Sequence, residues 1–265
     1  MDYKNLCSEV QDIARETGSF IRKEGKKISS ADVEIKSVAS LVTYVDKTAE
    51  ANIVSALRKL IPESGFVTEE GTATYNNERF KWIIDPLDGT TNFIHGITPH
   101  SVSIALMDGD ELVLGVVYEV GLSEMFFAWK GSRAFLNGSE IHVSTASKSE
   151  DTLISTGFPY YDFERVDDYI GAMKHLMQTT RGIRRLGSAA VDLAYVAAGR
   201  FDAFYEHALH AWDVAAGVFI LQQAGGKVVD FSGGENWLFG GEIVAASENY
   251  FDEFYGVVNK YLGDK

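Results

Sequence analysis

The chain has one cysteine, Cys7, among 265 residues. That excludes an internal disulfide framework and a cysteine-rich zinc site, and it fits a reducing compartment. Four prolines and no long Ser, Gln or Gly run exclude a low-complexity chain. Positive charge is also scarce: 24 Lys and Arg against 38 Asp and Glu leave a formal charge of −14. Such an acidic balance disfavours non-specific contact with nucleic acid or an anionic membrane. It leaves room for a local phosphorylated ligand if something else supplies positive charge. No window approaches the ~20 apolar residues of a membrane span. The opening MDYKNLCSEVQDIARE has acids and polar residues where a secretory leader would have an apolar core. The expectation is a soluble, cytoplasmic protein without nucleic-acid or membrane partners. The six histidines show no HExxH spacing, and there is no Gly-x-Ser-x-Gly, Walker A or GxGxxG motif following a strand. No nucleophile–His–acid set emerges from the spacing.

What is present is an ordinary globular composition, 46% hydrophobic and 23% charged. Leu6, Val10, Ile13, Thr17 and Ile21 recur at helical spacing, so an amphipathic helix opens the chain. Val45, Ile53, Leu57 and Leu60 predict a second helix from near Asp46 to before Pro62. The period then shortens. FKWIIDP, SVSIALMDG, LVLGVVYEV and SEMFFAWKG read as strands of a mainly antiparallel sheet. Asn137-Gly138 is a hairpin signal. Beyond about residue 145, strands (TLISTG, FDAFYE, KVVDF, EIVAAS) alternate with helical segments (165–179, SAAVDLAYVAAG, WDVAAGVFILQQAGG and the tail from Asn249). This alternation favours a layered α/β half. The expected division is residues 1–146, helices plus the antiparallel sheet, and 147–265, the α/β part.

The most informative stretch is WIIDPLDGTTNF. An apolar strand delivers Asp85, Pro86 is expected to stop the ladder, and Asp88 follows beside Gly89, Thr90 and Thr91. In a strand–turn–helix geometry the two carboxylates converge as hard ligands for Mg²⁺. The amides of Gly89, Thr90 and Thr91 then face a phosphate. The bland alternative is a Pro-Gly turn with Asp88 as a helix cap. Thr68-Glu69-Glu70-Gly71 supplies either a solvated face or a third ligand. Asp213, at the start of an Ala-rich helix, is either a cap or a ligand. Glu206 ends a strand, where a ligand-facing side chain is common. Alone, Lys36 and Asp46 read as a surface charge and a helix-terminal acid. Arg184-Arg185-Leu186-Gly187-Ser188-Ala189-Ala190 offers close helix packing or backbone approach to a ligand.

Together these residues resemble the inositol monophosphatase family. Asp85-Pro86-Leu87-Asp88-Gly89-Thr90-Thr91-Asn92-Phe93 matches its first signature and Trp212-Asp213-Val214-Ala215-Ala216-Gly217 its second. Glu69-Glu70, and Lys36 with Leu41-Val42-Thr43-Tyr44-Val45-Asp46, match lesser ones. The resemblance implies an α+β / α/β fold, the layered α-β-α-β-α sandwich of the inositol monophosphatase/fructose-1,6-bisphosphatase type. It implies a Mg²⁺-dependent, lithium-sensitive phosphomonoesterase, often dimeric, with two to three ions per site. Glu69, Asp85 and the carbonyl of Leu87 would hold the first ion and Asp85, Asp88 and Asp213 the second, with a third beside Glu69. Thr90 with Asp46 would orient the attacking water. Gly89 and Thr90 amides would bind phosphate. Glu206, Gly187, Ser188 and Ala189 would meet the polyol. Lys36 and Glu70 would stand behind the ligands. Ser40 departs from the family, which often has an acid there.

The implied activity is inositol-1(or 4)-monophosphatase-like hydrolysis of an inositol phosphate or a related small polyol or sugar phosphate, by water that the metal activates. Fructose 1,6-bisphosphate, NADP and 3′-phosphoadenosine phosphates remain open, as does a regulatory binding protein that kept the fold. A dehalogenase-like aspartyl-phosphate mechanism is disfavoured, because it spaces its acids two apart rather than three. Physically, carboxylates about 4 Å apart repel by about 4 kcal/mol per pair at an effective dielectric near 20. Divalent ions remove that cost and supply the chemistry together.

Overall fold

Two capped helices open the chain. The computed structural model describes residues 1–27, 33–37, 40–158 and 163–263, with only the backbone path of 33–37 and 40–42. Helix α1 (Tyr3–Gly25) is capped by Asp2, whose carboxylate accepts from the Lys4 and Asn5 N–H groups. A hairpin of β1 (Val33–Ser37) and β2 (Ser40–Thr43) leads into α2 (Tyr44–Leu60). Helix α2 begins two residues before the expected Asp46, because Thr43 and Asp46 form a reciprocal capping box.

A seven-stranded sheet follows in spatial order β3 to β9: β3 (Gly65–Thr68), β4 (Phe80–Asp88), β5 (Ser101–Asp108), β6 (Glu111–Glu119), β7 (Glu124–Trp129), β8 (Ala134–Leu136) and β9 (Ser139–Ile141). Only the β3–β4 pairing is parallel. Short helix α3 (Thr90–Ile94) leaves β4 at its C-terminal end. The second sheet has five strands in the order β11-β10-β12-β14-β13. They are β10 (Leu153–Thr156), β11 (Gly182–Arg184), β12 (Ala203–His207), β13 (Gly226–Val229) and β14 (Glu242–Ser247). This sheet is mixed: β10 runs parallel to β11 and β12, while β14 is antiparallel to β12 and β13. The remaining helices are α4 (Val166–Thr179), α5 (Ala189–Ala197), α6 (Ala211–Gln223) and α7 (Phe251–Leu262).

Strand alternation shows how these elements stack. On β4, Trp82 and Ile84 pack with Val10, Ile21, Ile53 and Leu57 of α1 and α2, while Ile83 faces the opposite core. On β14, Ile243 and Ala245 share that opposite core with Ile83, α5 and α6; Val244 and Ala246 join Tyr169, Leu176, Phe254 and Val258 of α4 and α7. A period of two thus divides each sheet between two apolar layers. The order is α1/α2, seven-stranded sheet, α5/α6, five-stranded sheet, α4/α7, the layered α-β-α-β-α sandwich. The middle helices are apolar nearly all round because both of their faces are covered. Their approach is close. A Cβ at Gly115 of β6 would lie 2.7 Å from the Ala216 carbonyl oxygen of α6. No helix among the described residues is long and apolar enough to cross a membrane.

Candidate active site

The β4–α3 junction supplies the first wall of the site. Pro86 does not end the ladder as its missing N–H suggests. Pairing skips from Asp85↔Ser103 to Asp88↔Ser101, so an irregularity at Pro86-Leu87 turns both acids toward one side. Asp85 Oδ1 accepts the Leu87 N–H at 2.8 Å. Gly89 then takes φ +88°, and a Cβ there would meet the Pro99 and Gly187 carbonyl oxygens at 3.0 and 3.1 Å. Glycine is therefore required both for the left-handed turn and for the close approach. Asn92 fastens this turn to the second half, donating to the carbonyls of Pro99 and Leu186, both at 2.8 Å.

Three further junctions converge there. Strand β3 is parallel to β4 with Thr68 opposite Ile84 as their last pair, so Glu69 and Asp85 both lie just beyond the same end of the β3–β4 ladder. Asp213 occupies the first turn of α6. It is not the cap itself: it accepts the N–H of the capping residue His210 at 2.6 Å. Ser188 caps α5 and donates to Asp88 Oδ2 at 2.5 Å, and the Ala190 N–H gives that oxygen a second bond at 2.9 Å. The result is one cavity lined by Glu69, Asp85, Leu87, Asp88, Gly89, Thr90, Thr91, Gly187, Ser188, Ala189, Glu206 and Asp213. Within it, carboxylate oxygens of Asp85, Asp88 and Asp213 lie within 4.8 Å of one another. Glu69 borders the same cavity outside that trio.

Asp46 does not line the cavity; it stands behind it. Its Oδ2 accepts the Thr43 N–H and hydroxyl at 2.8 and 2.6 Å, and its Oδ1 accepts the Thr90 hydroxyl at 2.9 Å. Glu70 is likewise set back, its backbone N–H turned to Glu50 of α2. The side chains of Lys36 and Ser40 lie outside the described residues.

Burial without counter-ions sets the electrostatics. Asp85 is pushed well up, by burial first and then by Glu69, Asp88 and Asp213. Asp213 rises through burial and the neighbouring Asp88. Asp88 reaches about 6: burial outweighs the donors from Ser188, Ala190 and Ala189 and the nearby Arg185. Glu206 rises through burial, then Asp192 and Asp213, opposed by Arg185. Asp46 is raised by burial against its Thr43 and Thr90 bonds.

Sequence reasoning did not single out two of these groups. Arg185 lines the cavity, with its guanidinium 5.6 Å from the Phe158 ring centre; only its place before Gly187-Ser188 hinted at this. Asp192 looks like an exposed first-turn acid of α5, yet it is 1% exposed. Its pKa is raised well above the usual range by burial, against nearby Ser155. Among the described residues, neither Asp192 Oδ1 nor Ser155 Oγ reaches hydrogen-bond geometry with a partner.

The donor set fits a divalent cation. The trio offers only hard carboxylate oxygens, two of the groups buried and Asp213 half-buried, and mutually repelling, which suits Mg²⁺ better than soft metals.

A five-layer sandwich with a converging carboxylate trio at its strand and helix ends defines the class, and the chain belongs to the inositol monophosphatase family, whose model matches residues 2–261. Among individual relatives, it is 41% identical over 254 residues to the Nus factor SuhB of Pseudomonas aeruginosa, covering 94% of each chain. It is 39% identical over 244 residues to the inositol-1-monophosphatase of Mesorhizobium japonicum, covering 92% of each. The crystal structure of the extragenic suppressor protein suhB of Bartonella henselae superposes with a TM-score of 0.92 at 36% identity, covering 97% of this chain and 99% of that one.

Proposed function

We propose that the protein is a Mg²⁺-dependent phosphomonoesterase that hydrolyses an inositol monophosphate or a related small polyol or sugar phosphate, with water as nucleophile. The observation that carries this reading is the trio of buried Asp85 and Asp88 and half-buried Asp213, sharing a cavity with the α3 N-terminus and with Glu206. Glu69, Asp85, the Leu87 carbonyl, Asp88 and Asp213 would hold the ions. When bound, these cancel the carboxylate charge, accept the phosphate dianion, make a water more acidic and stabilise the departing alkoxide.

The chain's own groups do the rest. Thr90 can place its single proton on Asp46 Oδ1 or on the Leu87 carbonyl, both 2.9 Å away. With the proton on Asp46, a Thr90 lone pair is free to accept from a water and hold it in line with the ester bond. Burial makes Asp46 a better proton acceptor than an exposed aspartate, so the water's proton can pass through Thr90 to Asp46 Oδ1. Amides of Gly89 and Thr90 face the phosphate oxygens. Glu206, on the opposite wall, accepts from hydroxyls of the alcohol.

Phosphate release from a panel of myo-inositol 1-phosphate, fructose 1,6-bisphosphate, NADP and 3′-phosphoadenosine phosphate, with and without Mg²⁺, tests this reading. Turnover that requires Mg²⁺ and favours the polyol phosphate is expected. The second reading, a role as a Nus factor, is favoured by the 41% identity to a protein of that name. A folded, Mg²⁺-loaded chain that releases phosphate from no monoester would favour it over the first.

A further inference from the structure

The loop after β3 carries Glu69, and its backbone is held by a carboxylate that belongs to neither wall of the cavity. Glu50 lies one helical turn beyond Asp46 on the same face of α2, fully buried. Its Oε2 accepts the Glu70 N–H at 2.7 Å and its Oε1 the Thr72 N–H at 2.8 Å. A buried carboxylate without donors is costly; here each oxygen has an amide, and both bonds are charge-assisted.

The position of those amides matters. The last pair of the β3–β4 ladder is Thr68↔Ile84, so Glu69 is the first residue the sheet no longer holds. The Glu70 N–H shares a peptide plane with the Glu69 carbonyl, and holding it fixes rotation about the Glu69 Cα–C bond. Between the two held amides, Gly71 takes φ +69° with open space where a Cβ would stand. The turn at Gly71 faces open space, and the Glu50 carboxylate holds the amides on either side of it.

We propose that Glu50 is a positioning residue: by clamping the Glu70 and Thr72 amides it sets the pose of Glu69, and with it the affinity of the carboxylate site for a divalent cation. One helix then aligns two loops of the site, Asp46 through Thr90 and Glu50 through the Glu69 loop. The inference rests on the reading of Glu69 as a cation ligand given above.

The test uses the full chain as wild type, Glu50→Ala, Glu50→Gln and, as a control, Glu69→Gln. Hydrogen exchange at the Glu70 and Thr72 amides is read without metal, and Mg²⁺ binding is read by calorimetry. Glu50→Ala is expected to speed exchange at those two amides at least about tenfold. It should weaken Mg²⁺ binding about 10–100-fold, the usual cost of losing a group that orients a ligand. Glu50→Gln keeps the shape but turns an NH₂ toward one amide, so an intermediate loss is expected; this variant covers the case in which Glu50→Ala does not fold. Turnover at saturating Mg²⁺ should recover to within a few-fold in both, with the Mg²⁺ requirement shifted upward. Wild-type Mg²⁺ affinity in folded Glu50→Ala and Glu50→Gln, beside weakened binding in Glu69→Gln, overturns the role of Glu50 alone. Absent binding in the wild type, or undiminished binding in Glu69→Gln, overturns the cation reading and this inference with it.

Discussion

The two walls of the cavity are built by opposite strategies. On the wall from the first half, donors are supplied in advance. Asp46 is tied by Thr43 and Thr90, Asp85 by the Leu87 N–H, and Asp88 by Ser188 and Ala190 reaching across from the second half. On the wall from the second half, negative charge is buried with less compensation. Glu206, which lines the cavity, is raised by burial and then by Asp192 and Asp213, against Arg185, and Asp192, outside the lining, is raised by burial and by Asp88 and has an oxygen without a hydrogen-bond partner among the described residues. The first wall, completed by Asp213 of α6 with its His210 N–H bond, suits a cation, which needs ligands already aimed. The second suits a ligand that brings hydroxyl donors of its own to Glu206, because a site built to bind hydroxyls discriminates strongly against analogues lacking them.

Substitutions can break that contrast, beginning with the most damaging. Asp88→Asn should lower turnover at least about a hundredfold, since it removes charge from the prepared wall. Steady-state phosphate release checks this, and a rate within a few-fold of wild type would contradict the ligand role. Glu206→Gln should act on the other wall. It should raise KM for a polyol phosphate about tenfold or more, the range for losing a hydrogen bond to a charged group, and barely change KM for p-nitrophenyl phosphate, which has no hydroxyls. Equal effects on both substrates would merge the two walls. Gly157→Ala is a milder version: its Cβ would fall 1.8 Å from Glu206 Oε1, so the carboxylate must move, and a several-fold rise in KM for the polyol phosphate alone is expected.

The smallest effect concerns stability. An unfolded aspartate titrates near 3.9, and folding raises Asp192 well above that. The folded state therefore holds this proton more tightly, and the wild type loses stability as pH rises from about 4 through the folded pKa. Asn cannot ionise. Metal-free Asp192→Asn should melt above wild type at pH 8 by about 2–4 °C, the shift that about 1 kcal/mol produces in a chain near this size. The gap should shrink toward pH 5. A gap independent of pH would remove the electrostatic explanation.

Where the determinants are local, the sequence is readable. Asn137-Gly138 forms the tight β8–β9 hairpin with φ of 49° and 84° and Leu136 opposite Ser139, as the dipeptide demands. The Asp85–Phe93 stretch builds the strand-to-helix turn its residues indicate. Non-local features are harder. Gly65–Thr68 is parallel strand β3, paired with Lys81–Ile84 of β4, and so short a run leaves no alternation to read. Pro86 signals a stop, but a proline at an irregular position costs the ladder little, and pairing resumes at Asp88. Asp192 and Glu50 look like ordinary helical acids until burial and the amides of a distant loop give them a purpose.

The central claim is that Asp85, Asp88 and Asp213 jointly hold divalent cations. Crystals soaked in Mn²⁺ and measured for anomalous scattering test it most directly. The account predicts peaks bounded by those three carboxylates, at least one of them shared with Glu69, that fade when Mg²⁺ is added in excess. A well-ordered site with no peak there, or with manganese bound only elsewhere, would contradict it.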